Sequence, residues 1–371
     1  MSELKVDKVS PRTGNYVALN TVGSKNIIIN GDMSIAQRGT SETGITSGLS
    51  YYTIDRYKTQ VITAGTWTQT QDTDVPTGQG FGYSLKMDCT TADASLGADD
   101  FVIVRQDVEG QNLQYLKYGT SNAESITISF WVKSNKTGTY IIWLYSDNAS
   151  NRHIAKSYTI DTADTWEKKT ITFPGDTIQA LINDNDARLW VYFILAAGSN
   201  STSGTLATSW ENYVKANRAV GQVNLADSTS NYINITGVQL EAGTTASDFE
   251  FLPVDMNLDR CLRYYQVLVE GDNKAFGNGF YYNSTQIYSS QQTLKTMRAI
   301  PSIDQVSGTN YYEIIRNGSS DSFDSFNLSG TYSSTDYLEL SVTSNVSGTA
   351  GQAGWFRTAN ASSYVAIDAE L

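Results

Sequence analysis

The feature that most constrains the fold is a repeated pattern of short β-rich runs separated by turn-forming clusters. Val, Ile, Thr, Tyr and Trp concentrate in runs bounded by Gly, Asn, Asp and Ser, which is typical of sandwiches and barrels. In residues 127–132, Thr and Ser alternate with Ile, Phe and Val, so one strand face is apolar and the other polar. Helical periodicity is confined to residues 209–216 and 255–265. We therefore predict an all-β protein whose clearest strands are residues 125–132, 139–145, 168–173, 188–196 and 232–240.

Changes in composition divide the 371 residues into three segments. Residues 1–23 form a polar arm that has too few apolar groups for a core of its own. Residues 24–254 carry the strong strand pattern and end at an acidic, Gly-rich turn followed by Pro253. In residues 255–371 the strands are shorter and Tyr doublets recur amid Ser and Gly, which predicts a second, smaller β domain.

Charge and hydropathy exclude several functional classes. Asp and Glu (38) outnumber Lys and Arg (26), which gives a net charge of −12 with no basic cluster. Such a chain is not expected to bind the phosphate backbone of a nucleic acid. No segment approaches the ~20 apolar residues of a membrane-spanning helix, so we do not expect the protein to be embedded in a membrane.

Few residues are available for metal binding or nucleophilic catalysis. The chain has one His, His153, which we predict to be a surface residue at the start of a strand. Its two Cys, Cys89 and Cys261, are far apart and are expected to be free thiols. His-rich and Cys-rich metal sites are therefore excluded, and a Ser-His-Asp triad would depend on His153 alone. We predict that the protein is not an enzyme.

A series of motifs occurs in order over residues 24–266. The motifs are KNIIINGDMS (25–34), AQRG (36–39), YTIDRY (52–57), SFWVKS (129–134) with KTGT (136–139), DTWEK (164–168), ITGVQLEAG (235–243), DFE (248–250) and DRCLRYYQ (259–266). This order resembles the jelly-roll module of bacteriophage tail fibres and other virion appendage proteins. That module is in turn similar to the carbohydrate-binding modules of bacterial glycosidases.

The resemblance implies that residues 24–266 form a jelly-roll β-sandwich, which would lie between the extended N-terminal arm and the second β domain that the composition predicts. It implies a virion structural protein that is synthesised in the host cytoplasm, forms a homotrimer on the tail and attaches to host-surface glycans. The arm, with Leu4, Val6 and Val9, is similar to segments that attach such proteins to the phage tail or an adaptor. A jelly roll can also leave one concave face free for a polysaccharide.

Two sets of site residues are expected, the first from the aromatic residues of the C-terminal segment and the second from the resemblance. If residues 255–371 form a distal tip rather than only a trimerisation domain, the expected glycan contacts are Tyr281, Tyr282, Tyr311, Tyr312 and Trp355. Carbohydrate-binding modules of this shape often hold a structural Ca²⁺, for which the candidate ligands here are Asn30, Asp32 and Gln239. Those modules commonly have an Asp where this chain has Val238–Gln239.

Other functions remain open at the level of sequence. The protein could be a head fibre or a capsid decoration protein of the virion. It could also be a depolymerase that cuts host polysaccharide with an Asp/Glu pair, although no spacing selects such a pair and no repeat of stacked strands is visible. A secreted bacterial binding module is a further alternative.

Overall fold

The computed structural model describes residues 24–148 and 150–371, which fold mainly as β-strands. The predicted attachment arm, residues 1–23 with Leu4, Val6 and Val9, lies outside the described residues. The N-terminal unit contains β1 (Ser41–Tyr51), β2 (Tyr57–Asp72), β3 (Ser84–Thr91), β4 (Phe101–Glu109), β5 (Ile126–Ser134), β6 (Gly138–Ser146), β7 (Arg152–Ile160), β8 (Glu167–Phe173), β9 (Ala187–Ala197), β10 (Glu211–Asn212) and β11 (Tyr232–Ala242).

The C-terminal unit contains shorter strands. They are β12 (Tyr265–Glu270), β13 (Ala275–Asn283), β14 (Gln286–Gln292), β15 (Ser302–Val306), β16 (Tyr312–Arg316), β17 (Ser319–Phe323), β18 (Asn327–Leu328), β19 (Tyr337–Val342), β20 (Ala353–Thr358) and β21 (Tyr364–Asp368). Helix α1 (Ser199–Thr202) follows β9, and helix α2 (Val254–Leu262) lies between the two units. Short 3₁₀ turns occur at Gly110–Asn112, Gln114–Leu116, Lys215–Asn217 and Leu225–Asp227.

Strand β2 joins the two layers of the N-terminal sandwich. Its residues 57–62 pair with β4, and its residues 66–72 pair with β3. Between these halves Thr63 and Gly65 have φ angles of 52° and 75°, in the left-handed region. The strand therefore turns from one layer, ordered β10-β7-β6-β9-β4-β2, into the other, ordered β2-β3-β11-β5-β8.

The core of this unit lies between the two layers. Phe130 of β5 contacts Tyr158 of β7 and Phe193 of β9 across the gap, with ring centroids 5.1 Å apart in both pairs. The chain passes repeatedly from one layer to the other, since β3, β5, β8 and β11 share one layer while β4, β6, β7 and β9 share the other. This arrangement of antiparallel strands is a jelly roll, and the predicted fold class is confirmed.

Most of the secondary structure agrees with the sequence pattern. The five clearest predicted strands correspond to β5, β6, β8, β9 and β11, and the helix predicted at 255–265 corresponds to α2. The prediction of a helix at residues 209–216 is wrong. Its residues Glu211 and Asn212 instead pair with His153 and Arg152 at the edge of β7, so tertiary pairing overrides the weak local preference.

The C-terminal unit has its own sheets and its own core. Its larger sheet has the order β17-β16-β20-β13-β14-β19-β18, and its smaller sheet has the order β12-β21-β15. One face of the larger sheet buries aromatic rings that pack mainly edge to face, including Tyr312, Phe323, Phe326 and Phe356. This is the second, smaller β unit expected from the sequence.

Buried polar contacts connect the two units. The guanidinium of Arg56, in the jelly roll, forms an ion pair with Glu370 and donates from Nη2 to the Asp107 carbonyl oxygen at 2.8 Å. The buried Glu109 carboxylate accepts a hydrogen bond from Arg263 Nε at 2.7 Å and another from the Tyr264 hydroxyl. Burial alone would raise the pKa of Glu109, but these hydrogen bonds hold that pKa below its usual range.

Candidate functional site

One outer face of the jelly roll is largely covered by its own chain. Trp143 and Tyr192 stack on this face with ring centroids 4.2 Å apart, and both side chains are buried. The segment 198–220 lies over them, and the Arg218 guanidinium is 3.9 Å from the centroid of the Phe101 ring. The part of this face around Trp143 is therefore not available for a polysaccharide.

His153 helps to hold this covering segment in place. Its side chain is fully buried, so the predicted surface position is wrong. Trp143 Nε1 donates to His153 Nδ1 at 3.1 Å, and His153 Nε2 lies 3.2 Å from Glu211 Oε1. Burial lowers the pKa of His153 despite the hydrogen bond with Glu211, so the ring is a neutral structural group.

The three candidate calcium ligands do not form one site. Asn257 Nδ2 donates to Asp32 Oδ1 at 2.9 Å and to Asn30 Oδ1 at 3.3 Å, which places an amide N–H group beside the oxygens that a cation would need. Gln239 belongs to another network, in which its Nε2 donates to Glu241 and its Oε1 accepts from the backbone of Glu250. These residues do not fit a Ca²⁺ ion, because it requires six to eight converging oxygen ligands.

Two of the five predicted glycan contacts are core residues. The Tyr281 ring is fully buried, and its hydroxyl donates to Asp321 Oδ2 at 2.5 Å. The Tyr312 ring is also buried, and its hydroxyl donates to the carbonyl oxygens of Val306 at 2.6 Å and Tyr364 at 2.9 Å. Neither ring has a free face, so the prediction that they contact a glycan is wrong.

Tyr311 is neither fully buried nor fully exposed. It immediately precedes β16 and packs, half-buried, against the core of the C-terminal unit. Its carbonyl oxygen accepts from the Ser363 hydroxyl at 2.8 Å and from the backbone of Ala359 at 2.8 Å. These two hydrogen bonds involve the backbone of Tyr311, so the expected contact of its side chain with a glycan stays a prediction.

Tyr282 and Trp355 lie on the outer face of the larger C-terminal sheet. Because side chains alternate along a strand, burial of Tyr281 in β13 leaves Phe280 and Tyr282 on the opposite face. Phe280 is 47% exposed, Tyr282 is 65% exposed and Trp355 is 39% exposed. Phe280 pairs in register with Tyr288 of β14, and the Tyr282 and Tyr288 ring centroids are 5.4 Å apart.

We call this surface the aromatic face, and it extends across four neighbouring strands. Trp355 of β20 is opposite Asn278 of β13, and Tyr337 of β19, which is 54% exposed, is opposite Gln292 of β14. The aromatic face therefore comprises Asn278, Phe280, Tyr282, Tyr288, Ser290, Gln292, Tyr337, Glu339 and Trp355.

The aromatic face includes a shallow cavity of about 330 Å³. Its lining combines the rings of Phe280, Tyr282 and Tyr288 with the short polar side chain of Ser290 and the carboxylate of Glu339. This volume lies within the roughly 300–1,000 Å³ range of small-molecule sites. Flat rings beside hydroxyl, amide and carboxylate groups can contact the apolar face of a sugar ring and also hydrogen-bond its hydroxyls.

Sequence reasoning missed Phe280, Tyr288 and Tyr337. The signal that could have found Phe280 and Tyr288 is the alternation in GFYY and IYSS, where every second residue shares a face once the buried position is known. Tyr337 has no such local signal, because only the pairing of β19 with β14 brings it to this surface.

No group of three or more His, Cys, Asp or Glu side chains within residues 24–148 and 150–371 could hold a metal ion. Over the same residues, no helix is long and apolar enough to cross a membrane.

Comparison with known proteins gives only distant structural likenesses. No protein-family model matches the sequence, and no curated protein matches it. Among solved structures, the chain is similar to the enzymatically active domain of tailspike protein 4 of bacteriophage CBA120, with 12% identity and a TM-score of 0.31. That match covers 59% of this chain and 21% of the tailspike chain, so it spans about a fifth of that structure.

Two carbohydrate-binding structures have similarly low sequence identities and TM-scores with this chain. The family 11 carbohydrate-binding module of a Clostridium thermocellum cellulosomal cellulase is 13% identical, with a TM-score of 0.27, and the match covers 61% of this chain and 99% of the module. A tandem of two family 22 modules from Paenibacillus barcinonensis is 8% identical, with a TM-score of 0.28, and covers 95% and 100%. These values are too low to assign the fold, which rests on the strand pairing described above.

Proposed function

We propose that this chain is a non-enzymatic structural protein of a bacteriophage virion, specifically a tail fibre that attaches to host-surface glycans. The observation that carries the glycan-binding part is the aromatic face, where exposed rings on neighbouring strands surround a polar-rimmed cavity. Exposed contiguous apolar surface of this kind usually marks a binding site. The virion part is supported by the ordered motifs of residues 24–266.

The electrostatics of the aromatic face favour a neutral glycan. The Arg357 guanidinium lies 5.8 Å from the centroid of the Trp355 ring and is already paired with Glu313. The charged residue in the cavity lining is Glu339, which would repel an anionic sugar. Neutral hexoses can instead stack on Tyr282 and Trp355 and hydrogen-bond to Ser290 and Glu339.

Truncating the aromatic face should abolish most glycan binding. We expect Tyr282→Ala and Trp355→Ala each to weaken binding to a responsive polysaccharide about tenfold to thirtyfold, since the loss of an aromatic anchor costs about 2 kcal/mol. The measurement is binding of fluorescent protein to an array of purified bacterial surface polysaccharides.

Matched variants give this experiment its controls. Tyr83→Ala removes a tyrosine that is 39% exposed on the jelly roll and should leave binding unchanged, whereas Tyr282→Phe should retain most of it because the ring remains. Equal binding by Tyr282→Ala, Trp355→Ala and Tyr83→Ala would contradict the assignment of the aromatic face. Release of soluble oligosaccharides from the array would contradict the non-enzymatic role.

We further propose that the chain forms a homotrimer whose arm, residues 1–23, docks onto the tail or an adaptor. The proposed organisation is an attachment arm, a jelly-roll body over residues 24–254 and a receptor-binding part over residues 255–371. We expect a trimeric mass both for the full chain and for a chain that lacks residues 1–23, measured by light scattering. A monomeric mass for both proteins would overturn the trimer and favour a decoration protein of the head.

A further inference from the structure

A second cavity, which we call the junction cleft, lies between the two units and away from the aromatic face. It has a volume of about 710 Å³ and is open to solvent. One wall comes from residues 36–39 and from the ends of β1 and the following loop, and the other comes from the outer face of the sheet β12-β21-β15. The volume again lies within the roughly 300–1,000 Å³ range of ligand sites.

Tyrosine rings supply the apolar surface of the junction cleft. Tyr51 and Tyr52 line the jelly-roll wall, while Tyr265 and Tyr364 line the opposite wall. The hydroxyls of Tyr265 and Tyr364 are 2.7 Å apart, and the Tyr265 hydroxyl donates to Asp304 Oδ2 at 2.6 Å. The opposite wall is thus fixed by hydrogen bonds, and Tyr52 and Tyr364 remain partly exposed for contact with a ligand.

The single cation among the lining residues is already neutralised. The Arg38 guanidinium lies 3.5 Å from the centroid of the Tyr265 ring and forms ion pairs with Asp368 at 3.1 Å and Glu370 at 3.4 Å. Because the charge of Arg38 is already balanced by these two carboxylates, Arg38 does not provide a binding site for an anionic ligand.

The remaining charged groups of the junction cleft are carboxylates. Within the described part of the chain, Glu42 and Glu270 have no hydrogen-bond or ion-pair partner, and Asp304 accepts only from the Tyr265 hydroxyl. Burial, together with the negative charges of Asp304 and Glu270, raises the pKa of Tyr364 to about 12. The cleft therefore combines ring surfaces with unneutralised negative charge.

We propose that the junction cleft binds a saccharide that carries a protonated amino group. The sugar ring packs on Tyr52 and Tyr364, and its ammonium groups lie among the carboxylates of Glu42, Glu270 and Asp304. Uronic acids and phosphorylated sugars are excluded by the same charges. This site does not depend on the aromatic face, for which the structure favours a neutral glycan.

The test is calorimetric titration of the full chain at pH 6 with a glucosamine tetramer, and in parallel with the N-acetylglucosamine tetramer. We expect binding of the glucosamine tetramer only, because acetylation removes the positive charge. Glu42→Gln and Glu270→Gln should each weaken it about two- to fivefold, as expected for exposed charge pairs. Glu124→Gln, which removes an exposed carboxylate from the jelly roll, should have no effect.

Further measurements distinguish binding at the junction cleft from binding at the aromatic face and from unspecific attraction to an acidic surface. The double variant Tyr282→Ala/Trp355→Ala should bind the glucosamine tetramer as tightly as the unmodified chain does, however weakly it binds to the polysaccharide array. Spermidine carries the charge without the sugar ring and should bind at least tenfold more weakly. The proposal is overturned if the two tetramers bind equally, if neither binds, if Glu42→Gln and Glu270→Gln have no effect, or if spermidine binds as tightly as the glucosamine tetramer.

Discussion

Replacing Glu370 by Gln should destabilise the protein by about 3–5 kcal/mol. Glu370 forms ion pairs with Arg56 and with Arg38, and the side chains of Glu370 and Arg56 are buried at the junction of the two units. The substitution preserves the shape of the side chain but leaves the Arg56 guanidinium buried without a counter-charge, which is the costly way to break such a pair. The free energy of unfolding in urea, followed by circular dichroism, measures the loss.

Two further variants distinguish a buried charge from a lost contact. Glu124→Gln breaks an ion pair with Lys117 in which both side chains are about half exposed, and it should cost no more than about 1 kcal/mol. Arg56→Met/Glu370→Met removes both charges together and should recover much of the loss. A Glu370→Gln variant as stable as Glu124→Gln would show that Arg56 is solvated at the junction.

The sequence identifies the strands of the jelly roll because their signal is local. Each run such as TYIIWLY or RLWVYFILA carries enough β-branched and aromatic residues to specify a strand without reference to a partner. The same holds for α2, where Pro253 precedes the helix and apolar positions recur at helical spacing. Residues 211–212 are the counterexample, since their β-structure depends on an edge of β7 that is far away in sequence.

The Tyr doublets show what local sequence cannot decide. Tyr281 and Tyr282 are adjacent, so in a strand one must be buried and the other exposed. A one-residue change of register would reverse which ring is exposed. The choice is made by packing: Tyr281 contacts Arg316, whose guanidinium is 4.6 Å from its ring centroid, and bonds to Asp321. Neither contact has a signal in the sequence around Tyr281.

The junction cleft could not be predicted from sequence for a related reason. Its lining joins residues 36–52 to residues 265–368, and no pattern within either segment indicates the other. Likewise, no pattern within the segment 198–220 indicates that it packs over Trp143. Strand existence is a local property, whereas sites formed between distant segments depend on the packing of the whole chain.

The second large expected effect concerns Trp67, which we compare with Trp355 because both lie near polar or turn segments in the sequence. In the structure Trp67 is fully buried in the jelly-roll core, and its Nε1 donates to the Ala64 carbonyl oxygen at 2.8 Å, next to the turn that carries β2 between layers. We expect Trp67→Ala to cost about 3–5 kcal/mol, since it leaves a large cavity at this point.

Trp355→Ala is the matched control, because that ring is 39% exposed on the aromatic face. Its loss should change the free energy of unfolding by no more than about 1 kcal/mol, while it weakens glycan binding about tenfold to thirtyfold. Urea unfolding of the two variants under identical conditions tests the difference. Equal destabilisation would mean that Trp355 is a structural residue, and the aromatic face would then lose one of its anchors. A stable Trp355→Ala variant with weakened glycan binding would separate the binding surface from the core.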